Sequence, residues 1–226
     1  GEAMKRKLLI QACVKFVAGL LLGGCLLFLS AGTIAFWKGW LLMAALFFPM
    51  LITGIILWVK APELLEKRLN SKEKEEEQKT VVGLSLLLFV CGFVTAGLDF
   101  RYGWSRLPDW GSVAAAVLLL LSYGMYGEVM RENAWLSRTV EVQQGQKVVD
   151  TGLYGKIRHP MYSAMILLFL SMPLICGSVY AFLIFLIYPL LLIKRIKNEE
   201  ALLLEGLEGY AEYTRKVRYR LVPFIW

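Results

Sequence analysis

A polar block at the point where the chain returns to an apolar stretch contains side chains suited to chemistry. It runs from Thr151 to Tyr162 and includes Arg158 and His159, the single histidine of the protein. A histidine can donate or accept a proton near neutral pH. A lone histidine before a proline is also a common helix start. The block alone therefore leaves both helix capping and chemistry open.

A second polar group follows the apolar stretch that begins after His159. Arg195 and Glu199 are four residues apart, so they share one face of a helix. An exposed ion pair with this spacing contributes only about 0.3–0.5 kcal/mol. Charged groups near a membrane boundary are costly unless they have a role. The pair is therefore either an ordinary surface ion pair or part of a site.

Taken together, the two polar groups resemble a known family. The pattern G-x-Y-x-x-x-R-H-P-x-Y begins at Gly152, an apolar hairpin follows, and R-x-x-x-E-E begins at Arg195, with Y-x-x-Y at Tyr210. This order is similar to that of the isoprenylcysteine carboxyl methyltransferase family and of related phospholipid and thiol methyltransferases. The resemblance covers about residues 131–226, and a two-part pattern is far more specific than a lone R-H-P.

The resemblance implies an integral membrane enzyme that uses S-adenosylmethionine. The amino-acid end of this cofactor is a zwitterion, which calls for N–H donors at its carboxylate and a carboxylate at its ammonium. His159 and Glu199 offer one of each. Arg195 is the expected substrate-binding residue, Arg195 and Glu199 are the expected catalytic residues, and no metal is expected. The cofactor-binding residues implied are Gln143, Gln146, Lys147, Val148, Val149, Tyr154, His159, Pro160, Met161, Tyr162 and Glu199.

The acceptor implied by the resemblance is a lipophilic molecule with an isoprenylcysteine-type carboxylate. Such a carboxylate is already ionised at neutral pH, so methyl transfer needs orientation and electrostatics and no general base. A phospholipid amine or a thiol remains an alternative acceptor, and an amine has to lose a proton first. A small transporter and a sterol-reductase relative with a nicotinamide cofactor are further alternatives. The sequence contains no G-x-G-x-x-G fingerprint for the latter.

Six apolar stretches have to position these residues. The chain has 226 residues, of which 58% are apolar and 19% charged, outside the range of ordinary soluble domains. The apolar stretches lie at about 8–30, 40–59, 81–99, 110–130, 161–176 and 178–193. We expect an all-α integral membrane protein with about six transmembrane helices, of which the last two form a short hairpin, plus a cytosolic cofactor-binding segment and a C-terminal helix.

Charge predicts the orientation. All 25 Lys and Arg residues except Lys38, Arg101 and Arg106 fall on one side of the predicted membrane. The positive-inside rule then places both termini and the site on the cytosolic face. The net charge of +7 comes from residues that flank apolar stretches, so membrane lipids, and not nucleic acid, are the expected partners besides the lipophilic or prenylated substrate.

Three regions are expected along the chain. Residues 1–3 precede Met4 and have the character of a scar left by tag removal. Residues 4–130 hold four transmembrane helices with a charged connecting helix at 60–80, and residues 131–226 form the catalytic region. Within the latter, 139–142 alternate like a short strand and 193–215 have helical character. The four cysteines lie singly in apolar stretches, which favours packing over metal binding.

Overall fold

The part of the chain that the structure describes is mostly helical and contains no strand. The structure is a computed structural model, and it describes residues 1–70, 76–136 and 139–226, without the side chains of residues 76 and 77. The helices are α1 (Glu2–Ala31), α2 (Trp37–Lys60), α3 (Pro62–Leu69), α4 (Glu76–Tyr102), α5 (Asp109–Glu132), α6 (Pro160–Ile175), α7 (Val179–Phe185), α8 (Ile187–Gly206) and α9 (Tyr210–Lys216), with a 3₁₀ turn at Gly152–Gly155.

Helix length and hydropathy confirm the all-α membrane architecture. Among the described residues, five segments are long and apolar enough to cross a membrane: α1, α2, most of α4, α5, and α7 with α8 as one unit. Helix α6 is apolar but has only 16 residues, about 24 Å at 1.5 Å per residue. That is shorter than a hydrocarbon layer of about 30 Å. The predicted hairpin is therefore present, with one short and one long arm.

A buried apolar core holds the long helices together. It includes Leu27 of α1, Leu42 of α2, Phe93 of α4, Leu119 of α5 and Phe185 of α7, each 2% exposed or less. The outward faces of the same helices remain apolar as well, with large exposed side chains along α1, α2, α4 and α5. Contiguous exposed apolar surface on this scale requires a covering medium, and for helices of this length that medium is lipid.

Helices α1 and α4 approach each other most closely at Gly97. A Cβ atom added at this position would lie 2.5 Å from the Leu27 carbonyl oxygen and 2.9 Å from the Ala31 nitrogen. Both atoms belong to the backbone of α1, so they cannot move aside as a flexible side chain does. Small residues at such contacts let the backbones of membrane helices pack tightly.

We therefore expect Gly97→Ala to destabilise the protein by about 1–3 kcal/mol, since the added methyl group forces α1 and α4 apart. Thermal unfolding in detergent, followed by the helical circular dichroism signal, measures the change. Gly83→Ala on the same helix is the control, because nothing lies within 4 Å of a Cβ there. Equal stability of the two variants would contradict the close approach.

Asp99 links several segments at the end of the bundle that lies opposite the polar block. Its carboxylate is buried and accepts hydrogen bonds from the Ser105 backbone nitrogen (2.7 Å), the Ser105 hydroxyl (2.5 Å) and the Ser178 hydroxyl (2.5 Å). Lys38 donates to the Leu107 carbonyl oxygen at 2.8 Å. These contacts join the α4–α5 connection to the α6–α7 turn.

Three predicted segments differ from the structure. Residues 139–142 form no strand: residue 139 lies in a bend, and residues 140–142 adopt no regular secondary structure. The connecting helix expected at 60–80 is divided: Lys60 ends α2, Pro62 starts α3, and residues from 76 onward belong to α4. Residues 71–75, with most of the acidic run 73–77, lie outside the described residues. The helix expected over 193–215 is interrupted after Gly206, and Gly209 adopts a left-handed conformation with φ 84°.

Candidate functional site

A cavity lies at the end of the bundle where α5, α6 and α8 meet the polar segments. Its volume is about 90 Å³, and it is partly open to solvent. Polar and apolar side chains from several separate segments line it. They are Asn133, Trp135, Leu136, Thr139, Glu141, Gln146, Lys147, Val148, Val149, Tyr154, Arg158, His159, Met161, Tyr162, Glu199, Leu203, Leu207, Tyr210 and Tyr213.

The chain enters the cavity wall through a sharp turn before α6. His159 is the residue that precedes α6, and Pro160 occupies the first turn of the helix, where its missing N–H costs no hydrogen bond. The backbone nitrogens of Arg158 and His159 instead donate to the carbonyl oxygens of Tyr219 and Arg220, both at 2.9 Å. The segment near residue 220 therefore holds the turn in place.

His159 presents a side chain that is buried at this turn. It is 5% exposed, and its Nε2 atom lies 3.3 Å from Glu200 Oε2. Nε2 thus contacts the Glu200 carboxylate without the geometry of a full hydrogen bond, so its bonding among the described residues is incomplete. A buried polar atom without a partner costs free energy unless a ligand or water completes its bonding. His159 is thus poised to bind a polar group that enters the cavity.

Glu200 joins the turn, α8 and the C-terminal segment. Its carboxylate accepts from Arg158 Nε at 2.6 Å and Nη2 at 3.0 Å, and from the Tyr210 hydroxyl at 3.2 Å. It also accepts a short hydrogen bond from Arg220 Nε. Two guanidinium groups on one buried carboxylate form strong, charge-assisted hydrogen bonds. Glu200 is therefore the centre of the ion cluster behind the cavity wall.

Tyr162 connects the two residues of the second polar group. Its hydroxyl donates to Glu199 Oε2 at 2.6 Å and accepts from Arg195 Nε at 3.0 Å. Glu199 lines the cavity, whereas Arg195 is 7% exposed and lies behind Tyr162. The backbone carbonyl of Arg195 also accepts from Gln78 of α4 at 3.2 Å. Arg195 thus orients Glu199 through Tyr162 and does not form the cavity surface itself.

Tyr154 and Tyr213 close the side of the cavity that faces the 3₁₀ turn. The Tyr213 hydroxyl donates to the Tyr154 carbonyl oxygen at 2.6 Å, and Asn133 Nδ2 donates to the Tyr154 hydroxyl at 3.0 Å. Burial raises the pKa of Tyr154 to about 12, although the Asn133 hydrogen bond lowers it. The phenol is therefore neutral at physiological pH, and its hydroxyl hydrogen remains available to a ligand.

The extended segment 139–149 covers the remaining side. A tight turn orders it, because the Gln143 nitrogen donates to Gln146 Oε1 at 2.9 Å and the Gln146 nitrogen to the Gln143 carbonyl oxygen at 3.1 Å. Val142 and Val148 pack on the apolar cluster of α8 and α9. The segment thus folds over the cavity by packing, without a sheet.

The structure brings most of the predicted site residues to one cavity. Nine of the eleven predicted cofactor-binding residues line it: Gln146, Lys147, Val148, Val149, Tyr154, His159, Met161, Tyr162 and Glu199. Three predicted residues do not. The Gln143 side chain donates to the Trp135 carbonyl oxygen at 2.6 Å, Pro160 starts α6, and Arg195 lies behind Tyr162.

Sequence reasoning missed other residues of the cavity wall. Asn133 and Trp135 follow the end of α5, and Tyr210 and Tyr213 contribute rings from α9. The Y-x-x-Y spacing was a usable signal, because it places both rings on one side of a helix. No comparable sequence pattern includes Asn133 and Trp135. The described residues also contain no group of three His, Cys, Asp or Glu placed to hold a metal.

Comparison with known proteins finds a family match that includes much of this cavity. Residues 114–205, from within α5 to the last turn of α8, match the isoprenylcysteine carboxyl methyltransferase (ICMT) family. The match includes the His159 turn, Arg195 and Glu199, but it ends before Tyr210 and Tyr213. The matched residues therefore supply most of the cavity lining, and Leu207, Tyr210 and Tyr213 add to it from outside the match.

Curated proteins that are similar to part of this chain include sterol reductases. A Delta(14)-sterol reductase of Methylotuvimicrobium alcaliphilum is 26% identical over 135 residues, which cover 53% of this chain and 32% of that protein. A Delta(14)-sterol reductase of Mus musculus is 25% identical over 91 residues, which cover 39% of this chain and 22% of that protein. The chain thus spans a third or less of the length of these relatives.

Proposed function

We propose that this protein transfers a methyl group from S-adenosylmethionine to a lipophilic acceptor, with an isoprenylcysteine-type carboxylate as the leading acceptor. One observation carries the proposal: the two separated halves of the family pattern meet in one cavity, where His159 and Glu199 present groups of opposite hydrogen-bonding character. The match of residues 114–205 to a methyltransferase family supports it.

The donor groups of the cavity fit the cofactor. The Nε2 atom of His159, which makes no full hydrogen bond to Glu200, can donate to the cofactor carboxylate, and the Glu199 carboxylate suits its ammonium. The cavity volume of about 90 Å³ is below the roughly 300–1,000 Å³ of pockets that bury a ligand of this size. A bound cofactor therefore has to extend beyond this cavity toward solvent, where the exposed Lys147 lies on the wall.

The protein's part in the reaction is to orient and to exclude water. The cofactor supplies an activated methyl group on a sulfonium. Glu199, fixed by Tyr162, holds one end of the cofactor, and the apolar side chains Met161, Leu203 and Leu207 keep water from the cavity wall. Since a carboxylate acceptor is already ionised, positioning and electrostatics suffice for catalysis.

The cavity opens on the end of the bundle that we assign to the cytosol. Trp58 donates to the Lys5 carbonyl oxygen at 2.8 Å, and Lys67 to the Ala134 carbonyl oxygen at 3.0 Å. The start of α1 and the cavity therefore share one end, and this end carries most of the Lys and Arg residues. The positive-inside rule favours a cytosolic position for that end, where a water-soluble cofactor has access.

Binding of S-adenosylhomocysteine to the detergent-purified protein tests the proposal. We expect His159→Ala and Glu199→Ala each to weaken binding at least about tenfold, because each removes a charge-assisted contact. Glu205→Ala is the control, since Glu205 is exposed on the same helix. Isothermal calorimetry measures all four proteins. A folded wild-type protein that does not bind the ligand would refute the proposal, and binding unchanged in both site variants would move the site elsewhere.

A sterol reductase is the second candidate, favoured by the two similar reductases. It predicts NADPH binding and oxidation of NADPH in the presence of a sterol, with no affinity for S-adenosylhomocysteine. The product separates the acceptors of the leading proposal: a base-labile methyl ester for a carboxylate, and a methylamine or methyl thioether for an amine or thiol.

A further inference from the structure

The short helix α3 carries a cation, Arg68, that lies against the cavity wall. Arg68 is not part of the family pattern. Arg68 Nη1 lies 3.7 Å from Met161 Sδ, and Met161 lines the cavity. The guanidinium carbon lies 5.3 Å from the centre of the Tyr126 ring on α5. Arg68 therefore occupies the corner between α3, α5 and α6 beside the proposed site.

This arginine has no carboxylate partner among the side chains that the structure describes, which are those of residues 1–70, 78–136 and 139–226. Its Nε atom is buried and lacks a hydrogen-bond acceptor. A sulfur atom and an aromatic face are weak partners for a guanidinium, whose five N–H groups match a carboxylate or phosphate. Partial burial of a cation is costly unless an anion compensates for the lost water. The described residues therefore leave the guanidinium of Arg68 open to an anionic group.

Contacts on both sides fix α3 at this corner. Lys15 of α1 donates to the Leu69 carbonyl oxygen, and Lys67 lies 5.2 Å above the Trp135 ring, which lines the cavity. After burial and the Asn133 hydrogen bond, the charges of Glu199 and Arg68 are the next influences on the pKa of Tyr154. Glu199 and Arg68 are therefore both close enough to the Tyr154 ring to influence its pKa.

Arg195 cannot supply this cation at the cavity surface. It is directed to the Tyr162 hydroxyl and lies behind it. Arg158, although it lines the cavity, donates through Nε and Nη2 to Glu200 and through Nη1 to the carbonyl oxygens of Val217 and Arg218. Arg68 differs from both, since its guanidinium makes no charge-assisted hydrogen bond within the described residues.

We propose that Arg68 binds the anionic group of the methyl acceptor, a carboxylate or a phosphate, and so selects acidic amphiphiles for the site. The inference rests on the proposed methyltransferase function and extends it to the acceptor. The apolar part of the acceptor then lies toward Leu57 and Leu64, which pack on the same cluster as Met161. Arg68 is a substrate-binding residue in this arrangement, on an element outside the family match.

Affinity for two pairs of probes tests this assignment in neutral phosphatidylcholine nanodiscs. The first pair is N-acetyl-S-farnesylcysteine and its methyl ester, and the second is didecanoyl phosphatidic acid and didecanoylglycerol. We expect Arg68→Gln to weaken binding of an anionic probe about tenfold or more and to leave its uncharged counterpart unchanged. Arg68→Lys keeps the charge without the fork and should restore part of the loss. Arg101→Gln, at the opposite end, is the control.

The outcomes are separable. The pair that responds to Arg68 identifies the anion as a carboxylate or a phosphate. If both anionic probes bind Arg68→Gln as tightly as wild type, or bind wild type no better than their uncharged counterparts, the assignment of Arg68 is refuted. Binding of S-adenosylhomocysteine by the same preparations checks the fold. If wild type does not bind S-adenosylhomocysteine, the methyltransferase proposal is refuted. If it does bind, a negative result with the probes refutes only the role of Arg68.

Discussion

Glu200→Gln is expected to destabilise the protein by about 3–5 kcal/mol, because it leaves two buried or half-buried guanidinium groups without their anion. The amide keeps the size of the carboxylate but cannot compensate for the charges of Arg158 and Arg220. Glu200 is only 5% exposed, so water cannot replace it cheaply. Loss of the cluster also releases the segment that holds the His159 turn.

Thermal unfolding in detergent measures the destabilisation of Glu200→Gln. Glu205→Gln on the exposed face of α8 is the matched control and should unfold like wild type. The double variant with Arg220→Gln should recover part of the loss, because it removes one of the uncompensated charges. A Glu200→Gln protein as stable as the control would show that the cluster has no net role in stability.

Tyr162→Phe is expected to slow methyl transfer about a hundredfold while the protein stays folded. The missing hydroxyl disconnects Arg195 from Glu199, so the Glu199 carboxylate is free to rotate out of the cavity. A displacement of about 1 Å in a positioning group can cost a factor of this size. The ring itself still fills its place beside His159, 5.7 Å away between centroids.

Transfer from labelled S-adenosylmethionine to N-acetyl-S-farnesylcysteine measures the effect of Tyr162→Phe. Tyr188→Phe is the control, because Tyr188 is equally buried and lies on α8, where its ring packs against that of Phe169 with 4.4 Å between centroids. If both variants react at the wild-type rate, Tyr162 does not position Glu199.

The sequence predicted the long helices well, because hydropathy over about 20 residues decides whether a segment is stable in lipid. It predicted less well where local signals compete. Residues 139–142 alternate like a strand, yet alternation cannot supply the partner that a strand needs. The pattern over 193–215 is helical, but Gly206 and Gly209 end the helix and turn α9 back over the cavity. Propensity alone gives no direction to such a turn.

The same limit applies to the site. The spacing of Arg195 and Glu199 predicted a shared helix face, and the structure links them through Tyr162, 33 residues before Arg195. No local pattern indicates such a link, nor the contact of Arg158 with Glu200 across 42 residues. Sequence reasoning therefore found most of the residues that meet at the cavity. It also predicted Arg195 to bind the substrate there, whereas the fold places Arg195 behind Tyr162.

The position of residues 219–221 against the His159 turn governs when the site can form during synthesis. A chain is made from its N-terminus and folds in that order, so α1–α5 leave the ribosome long before these residues. Arg158, His159 and Ser163 acquire their partners on residues 219–221 only after α9 has been made. A newly inserted chain thus has its membrane helices before it has a ligand site. A stop codon in place of Val217 should therefore yield an inserted helical bundle that cannot bind ligand.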